Sequence, residues 1–200
     1  MHNTARTGLA ALALAALTAL SPVSALAAPP PEDPARQTSW GLYVDAKEAY
    51  AMKTGSEGAG MLLVDVRDPV EIMFTGFTDV VDVNIPYLLN DRPNWNEKKS
   101  VFAMKVNPDF EARIAQALEA RGLTREAPVI LMCRSGGERG APSARMLEGK
   151  GYRQVYVVVD GFEGRTMKDG ERKHWRLVDG WKNSGLPWSY TLNKSKMYLQ

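Results

Sequence analysis

Four short runs of almost unbroken apolar residues decide what this chain can fold into: MLLVDV (61–66), VVDVNI (80–85), APVILMC (127–133) and QVYVVV (154–159). Runs of this length without polar alternation are strands buried on both faces, as in a parallel sheet. Segments of helical period lie between them. Asp45 caps a short helix, AKEAYAMK, that ends in the Gly-rich TGSEGAG. Asn107-Pro108-Asp109 opens the clearest helix, with Phe110, Ile114, Ala117 and Leu118 on one face and Gly122 as its stop. A further helix is expected over 141–150, stopped by Gly151. Strands alternating with helices predict a single α/β domain: a central parallel sheet flanked by helices, with right-handed crossovers. In such sheets ligands bind beyond the carboxyl ends of the strands. Residues 87–108 lack periodicity and are expected to form a long loop or insertion, and 163–180 are polar and basic. The segment GWKNSGLPWSY (180–190) is expected to pack its tryptophans back onto the domain.

The first residues have the pattern of an export signal. Arg6 supplies a positive start, 9–20 form an apolar core too short to span a membrane, and Ala25-Leu26-Ala27 is an A-x-A cleavage site. The expected cut after Ala27 removes 27 of the 200 residues and leaves 173, enough for one domain with a sizeable core. It also sends the chain to the periplasm or out of the cell. Residues 28–39, APPPEDPARQTS, are Pro-rich and polar and predict a disordered leader. The domain is expected over 40–192, with a C-terminal tail over 193–200. The formal charge falls from +2 to +1 once Arg6 is removed, and no basic stripe suits nucleic acid. No second apolar run predicts membrane contact after cleavage.

Cysteines of exported proteins normally come in pairs, yet Cys133 is the only one in this chain. Most free cysteines are small buried hydrophobes, but this one begins the stretch CRSGGERG, which leads into the 141–150 segment. A core position would strand two guanidinium groups. Gly136 and Gly137 allow backbone conformations in which consecutive N–H groups converge on one centre. The start of the next helix adds partial positive charge, and Arg139 and Arg134 supply full charges. Such an array favours an anion, and the thiolate is the form of cysteine that attacks. It would equally hold the oxyanion of a substrate or leaving group. Other chemistries fall away. GxxxxGK[ST], GxGxxG and CxxC are absent. After signal removal one histidine remains, His174, in a polar segment without hydrolase spacing. One histidine and one cysteine cannot close a zinc site without two further carboxylates.

Several stretches together resemble the rhodanese family of sulfurtransferases. LLVDVRDPVEIMFTGFTDVVDVNIPY is similar to the family's N-terminal signature, CRSGG to its active loop, VYVVVDGFEG to the next strand and turn, and WKNSGLPW to its C-terminal close. The resemblance implies a single rhodanese-like domain in which Cys133 accepts sulfane sulfur as a persulfide. The loop of Arg134, Ser135, Gly136, Gly137, Glu138 and Arg139 would line the site, with Arg139 on the donor's oxyanion. Asp65 and Arg67 would be a structural ion pair, and Asp160 a turn residue beside the loop. The donor would be a small sulfur anion such as thiosulfate; the acceptor a thiol, cyanide or a carrier protein; no metal or organic cofactor is implied. The loop departs from the common CRSGxRS by placing its arginine one residue later, with Glu138 as the natural extra residue. That C-x5-R spacing is similar to the cell-cycle dual-specificity phosphatases and arsenate reductases of the same fold, which supply the alternative chemistry. A third alternative, a non-catalytic rhodanese-like binding module, usually lacks the cysteine.

Overall fold

The computed structural model describes residues 27–199, so the expected signal segment lies outside the described residues except for Ala27. Five parallel strands form the central sheet: β1 (Leu42–Val44), β2 (Leu62–Asp65), β3 (Val83–Asn84), β6 (Val129–Met132) and β7 (Val155–Val158), in the order β1-β7-β6-β2-β3. Helices α1 (Ala46–Thr54), α2 (Pro69–Thr75), α3 (Phe110–Glu119) and α4 (Gly140–Arg145) flank it, and β4 (Leu88–Asn96) pairs antiparallel with β5 (Val101–Val106) in a separate hairpin. The apolar runs are explained by burial on both sides. In β6, Val129 and Leu131 join one core with Leu62, Val64, Phe110 and Ile114, while Ile130 and Met132 join another with Leu63, Ile72, Phe162 and Trp181. Each large side chain so buried contributes roughly 1.5–3 kcal/mol.

The topology selects one point on the sheet. β2 leads through α2 to β3 on one side, and its neighbour β6 leads through α4 to β7 on the other. The chain thus leaves in opposite directions between β2 and β6, and a crevice opens at their carboxyl ends. Cys133 stands there, immediately after β6. Asp45 closes a capping box with Glu48 at the start of α1, at 2.8 Å in each direction.

Four sequence expectations need correction. Residues 87–108 are a hairpin rather than a loop; both its faces are largely exposed and its register shifts between Asp91 and Trp95, so no clean alternation marks it. The strand expected over 80–85 shrinks to Val83–Asn84, because the Asp82 carboxylate, at 2.8 Å, accepts the Leu63 N–H that a longer ladder would use. The helix expected over 141–150 is regular only over Gly140–Arg145. Residues 28–39 are not a loose leader. Ala28 donates to the Tyr43 carbonyl (3.1 Å), Arg145 donates to the carbonyls of Ala35 and Gln37 (2.7 and 2.8 Å), and Ser39 donates to Glu148 (2.9 Å). These partners are distant in sequence and invisible to composition. Trp181 is fully buried and its indole N–H donates to the Pro187 carbonyl, so the C-terminal segment does cap the domain.

The turn after β7 ties that cap to the sheet. Asp160 accepts the Gly180 N–H at 3.1 Å through one carboxylate oxygen, while the other is buried with no hydrogen-bond partner among the described residues. Burial pushes its carboxyl up to about 6, the Gly180 amide pulling the other way. The unfolded value is about 3.9, so the folded chain keeps this proton where the unfolded chain has lost it. Stability from this group is therefore highest below about pH 4 and falls as pH rises to about 6, by about 3 kcal/mol at most. Asp160→Asn cannot titrate. Urea denaturation at pH 4 and pH 7 should show the stability of the variant relative to wild type rising by about 2 kcal/mol across that window. A constant difference would contradict the assignment.

Candidate active site

The loop after β6 is held by its carbonyls. Phe162 donates to the Cys133 carbonyl at 2.9 Å, and Glu163 and Gly164 donate to the Arg134 carbonyl at 2.8 and 3.2 Å. Two glycines make this approach possible. At Gly136 (φ +63°) an added Cβ would lie 1.6 Å from the Val159 carbonyl oxygen, and at Gly161 (φ +65°) one would lie 2.6 Å from the Cys133 oxygen and the Ser135 nitrogen. With the carbonyls of Cys133 and Arg134 turned to the β7 turn, the N–H groups of the same two peptides, those of Arg134 and Ser135, face away from it. Among the described residues, none of the backbone N–H groups of residues 134–139 donates to another group of the chain. Consecutive amides freed in this way are an anion receptor.

Cys133 is 2% exposed and sits at the floor of a cavity of about 510 Å³. Arg134, Ser135, Gly137, Glu138 and Arg139 form the loop side of that cavity. Its outer wall comes from elsewhere: Arg36 from the N-terminal segment, Leu88 and Met104 from the hairpin, and Arg165, Thr166, Lys168 and Arg176 from the basic segment. Gly140, at the start of α4, packs within 2.7 Å of the Val157 side chain, measured from where its Cβ would stand, and leaves the helix close to Cys133.

Both loop arginines are engaged by carboxylates. Arg139, only 12% exposed, takes Glu71 of α2 in a two-pronged pair, with Nη2 to Oε1 at 2.7 Å. Its fork, expected to hold a donor oxyanion, is thus occupied by Glu71. Burial works against the Arg139 charge, but Glu71 outweighs it and holds the guanidinium above its ordinary value, with help from Cys133 and Asp65. Burial likewise pushes Glu71 up, and Arg139, aided by Arg67 and Arg134, reverses the sign and holds the carboxyl below its ordinary range. Arg134 is more exposed and pairs with Glu163 through Nε at 2.5 Å. Glu138 points outward to Lys99 in the hairpin turn, so the extra loop residue is taken up at the rim.

Asp65 and Arg67 lie behind the loop rather than in the cavity. Both are fully buried; Arg67 Nε meets Asp65 Oδ1 at 2.9 Å, Nη1 donates to Thr75 Oγ1 at 2.7 Å, and the guanidinium lies 3.9 Å from the Phe162 ring centroid. Such a pair costs much to break and holds α2, and hence Glu71, beside the loop. Asp160 sits in the turn that receives Gly136. His174 is exposed and does not line the cavity. Among the described residues, no group of three His, Cys, Asp or Glu side chains suits a metal ion, and no helix is long and apolar enough to cross a membrane.

Sequence reasoning missed Glu71, Glu163 and Arg36. Glu71 lies within the acidic stretch after Asp65-Val66-Arg67, where its spacing from α2's start was the one available signal. Arg36 carried none, since its neighbours read as leader.

A family model described as a rhodanese-like domain matches residues 45–168. An uncharacterised protein of Rickettsia rickettsii is 29% identical over 143 residues, spanning 72% of this chain and 93% of the relative. An uncharacterised protein of Rickettsia conorii is 29% identical over 144 residues, with the same coverage. The crystal structure of Rv0390 from M. tuberculosis superposes with a TM-score of 0.52 at 28% identity, covering 74% of this chain and 97% of that one. With its parallel sheet, its interlocked loop and a family match over most of the described residues, the chain belongs to the rhodanese-like domain family.

Proposed function

We propose that this protein is a sulfurtransferase that carries sulfane sulfur on Cys133. The observation that supports this most strongly is the placement of the chain's single thiol immediately before six consecutive backbone amides that no other group of the described chain uses. In the first step the Cys133 thiolate attacks the outer sulfur of thiosulfate. A new S–S bond forms to Cys133, the S–S bond of the donor breaks, and its electron pair leaves with sulfite. The charge left on the outer persulfide sulfur then lies among the amides of residues 134–139, which replace the water it loses. In the second step an acceptor thiolate or cyanide attacks that outer sulfur and releases the Cys133 thiolate. The mechanism draws on no group beyond the chain and its two substrates. The expected export signal would place this work in the periplasm.

The C-x5-R spacing keeps a phosphatase or arsenate reductase as the rival chemistry, and one assay separates the two. Purified protein is given thiosulfate with cyanide in one vessel and a small aryl phosphate in another. Thiocyanate should appear in the first, with intact mass showing one added sulfur on wild type and none on Cys133→Ser. Hydrolysis of the aryl phosphate without thiocyanate would replace the sulfur reading with the phosphate one.

The two arginines should separate as well. Arg139 is nearly buried and forked onto Glu71, whereas Arg134 is 40% exposed. A lysine at 139 turns that fork into a point charge. Arg139→Lys should therefore lower kcat/KM for thiosulfate by roughly tenfold or more, the size of a lost charge-assisted bond, and Arg134→Lys by about threefold or less. The reverse ranking would show that the inward arginine has been misassigned.

A further inference from the structure

The cavity above Cys133 is larger and more cationic than thiosulfate requires. At about 510 Å³ it is in the range of sites that enclose whole organic ligands, and the loop amides already provide for a small anion. Above them, Leu88 and Met104 form an apolar stretch of wall, and Arg36, Arg165, Lys168 and Arg176 stand around it.

These outer cations are only partly balanced by carboxylates. Arg165 is held by Asp179 at 2.6 Å and Arg36 is 3.7 Å from Asp33. Glu163, however, is shared among Arg134 (2.5 Å), Lys182 (3.7 Å) and Arg176 (3.9 Å), and Lys168 has no ion-pair partner among the described residues. Burial and repulsion from Arg134 pull Arg176 below its ordinary value, with Arg139 adding to that repulsion and Glu163 opposing it. Of the side chains that line the cavity six are cationic and one, Glu138, is acidic, so its wall carries more positive charge than negative.

Two of these cations come from segments that flank the matched family region. Arg36 precedes residue 45 and Arg176 comes after residue 168. Arg36 reaches the active loop itself, with a guanidinium nitrogen 3.8 Å from where a Cβ on Gly137 would stand. The N-terminal segment is fixed in place to do this by a 3-10 turn at Pro34–Arg36, capped by Asp33, and by the Arg145 bonds to Ala35 and Gln37.

We infer that Arg36 and Arg176 form an outer anion subsite for the sulfur acceptor, and that this acceptor is a low-molecular-weight thiol bearing at least two carboxylates. This rests on the sulfurtransferase reading. The acceptor's carbon body lies against Leu88 and Met104, its carboxylates face the two arginines and Lys168, and its sulfur points down to Cys133. The acceptor thiolate attacks the outer sulfur of the Cys133 persulfide. A new S–S bond forms to the acceptor, the bond to Cys133 breaks, and its electron pair returns to Cys133 as thiolate; a proton from solvent completes the acceptor persulfide.

Wild type, Arg36→Ala and Arg176→Ala are first loaded with thiosulfate, and one added sulfur is confirmed by intact mass. Discharge is then monitored with mercaptosuccinate, which carries two carboxylates, and with 2-mercaptoethanol, which carries none. The ratio of kcat/KM for the first thiol over the second should fall by about fivefold in each variant, as for a partly exposed charge contact. Calorimetry with (methylthio)succinate, which has no thiol to react, should show binding to the resting wild type and weaker binding to both variants. If persulfide forms but neither the ratio nor the calorimetric affinity changes in either variant, the subsite is overturned and the sulfurtransferase reading stands. If (methylthio)succinate binds as described but thiosulfate adds no sulfur, the subsite stands as an anion site and the transfer reading falls. Arg36 is bonded less into the fold than Arg176, which donates to the Gly164 carbonyl at 2.7 Å, so a change confined to Arg176→Ala would count against the subsite.

Discussion

The bonds from Phe162, Glu163 and Gly164 to the carbonyls of Cys133 and Arg134 decide which side of the active loop faces the cavity. A peptide group presents its carbonyl and its N–H in opposite directions. Fixing the carbonyls of Cys133 and Arg134 against the β7 turn therefore turns the N–H groups of the same two peptides, those of Arg134 and Ser135, away from it. Gly136 and Gly161 allow the two backbones to come this close, and any side chain at either position would occupy the partner's backbone. The loop, its orientation and the exposure of its donors all depend on one contact between neighbouring strand ends.

A second layer controls charge. Three cations and two carboxylates surround the loop: Arg134, Arg139 and Arg176 against Glu71 and Glu163. Glu71 aligns Arg139, and the buried Asp65–Arg67 pair is tied through Thr75 and Gly76 to the end of α2, the helix that carries Glu71. The positive charge is thereby positioned rather than cancelled. Removing a single carboxylate would release a guanidinium to swing, which is why the carboxylates belong to the site as much as the arginines do.

The fold was legible where burial was two-sided. MLLVDV and VILM are strands because both faces meet apolar cores, and their sequences carry that directly. The active loop was legible because CRSGGERG combines a thiol, glycines and arginines in a pattern that a core position would not tolerate. The hairpin was not, since Val101, Phe102, Met104 and Val106 are exposed and alternate with nothing. Nor was the position of residues 28–39: Arg145 and Glu148, more than a hundred residues away, hold a segment whose own composition suits disorder. Arg36 reaches the cavity only through those contacts.

The central claim is that the free amides of residues 134–139 hold the sulfur that Cys133 receives. A crystal structure of the protein after treatment with thiosulfate tests it most directly. The account predicts one extra sulfur bonded to Cys133 Sγ, with several of those amides within ordinary hydrogen-bond distance of it. An unmodified Cys133, or an added sulfur turned away from the amides toward the hairpin, would contradict it.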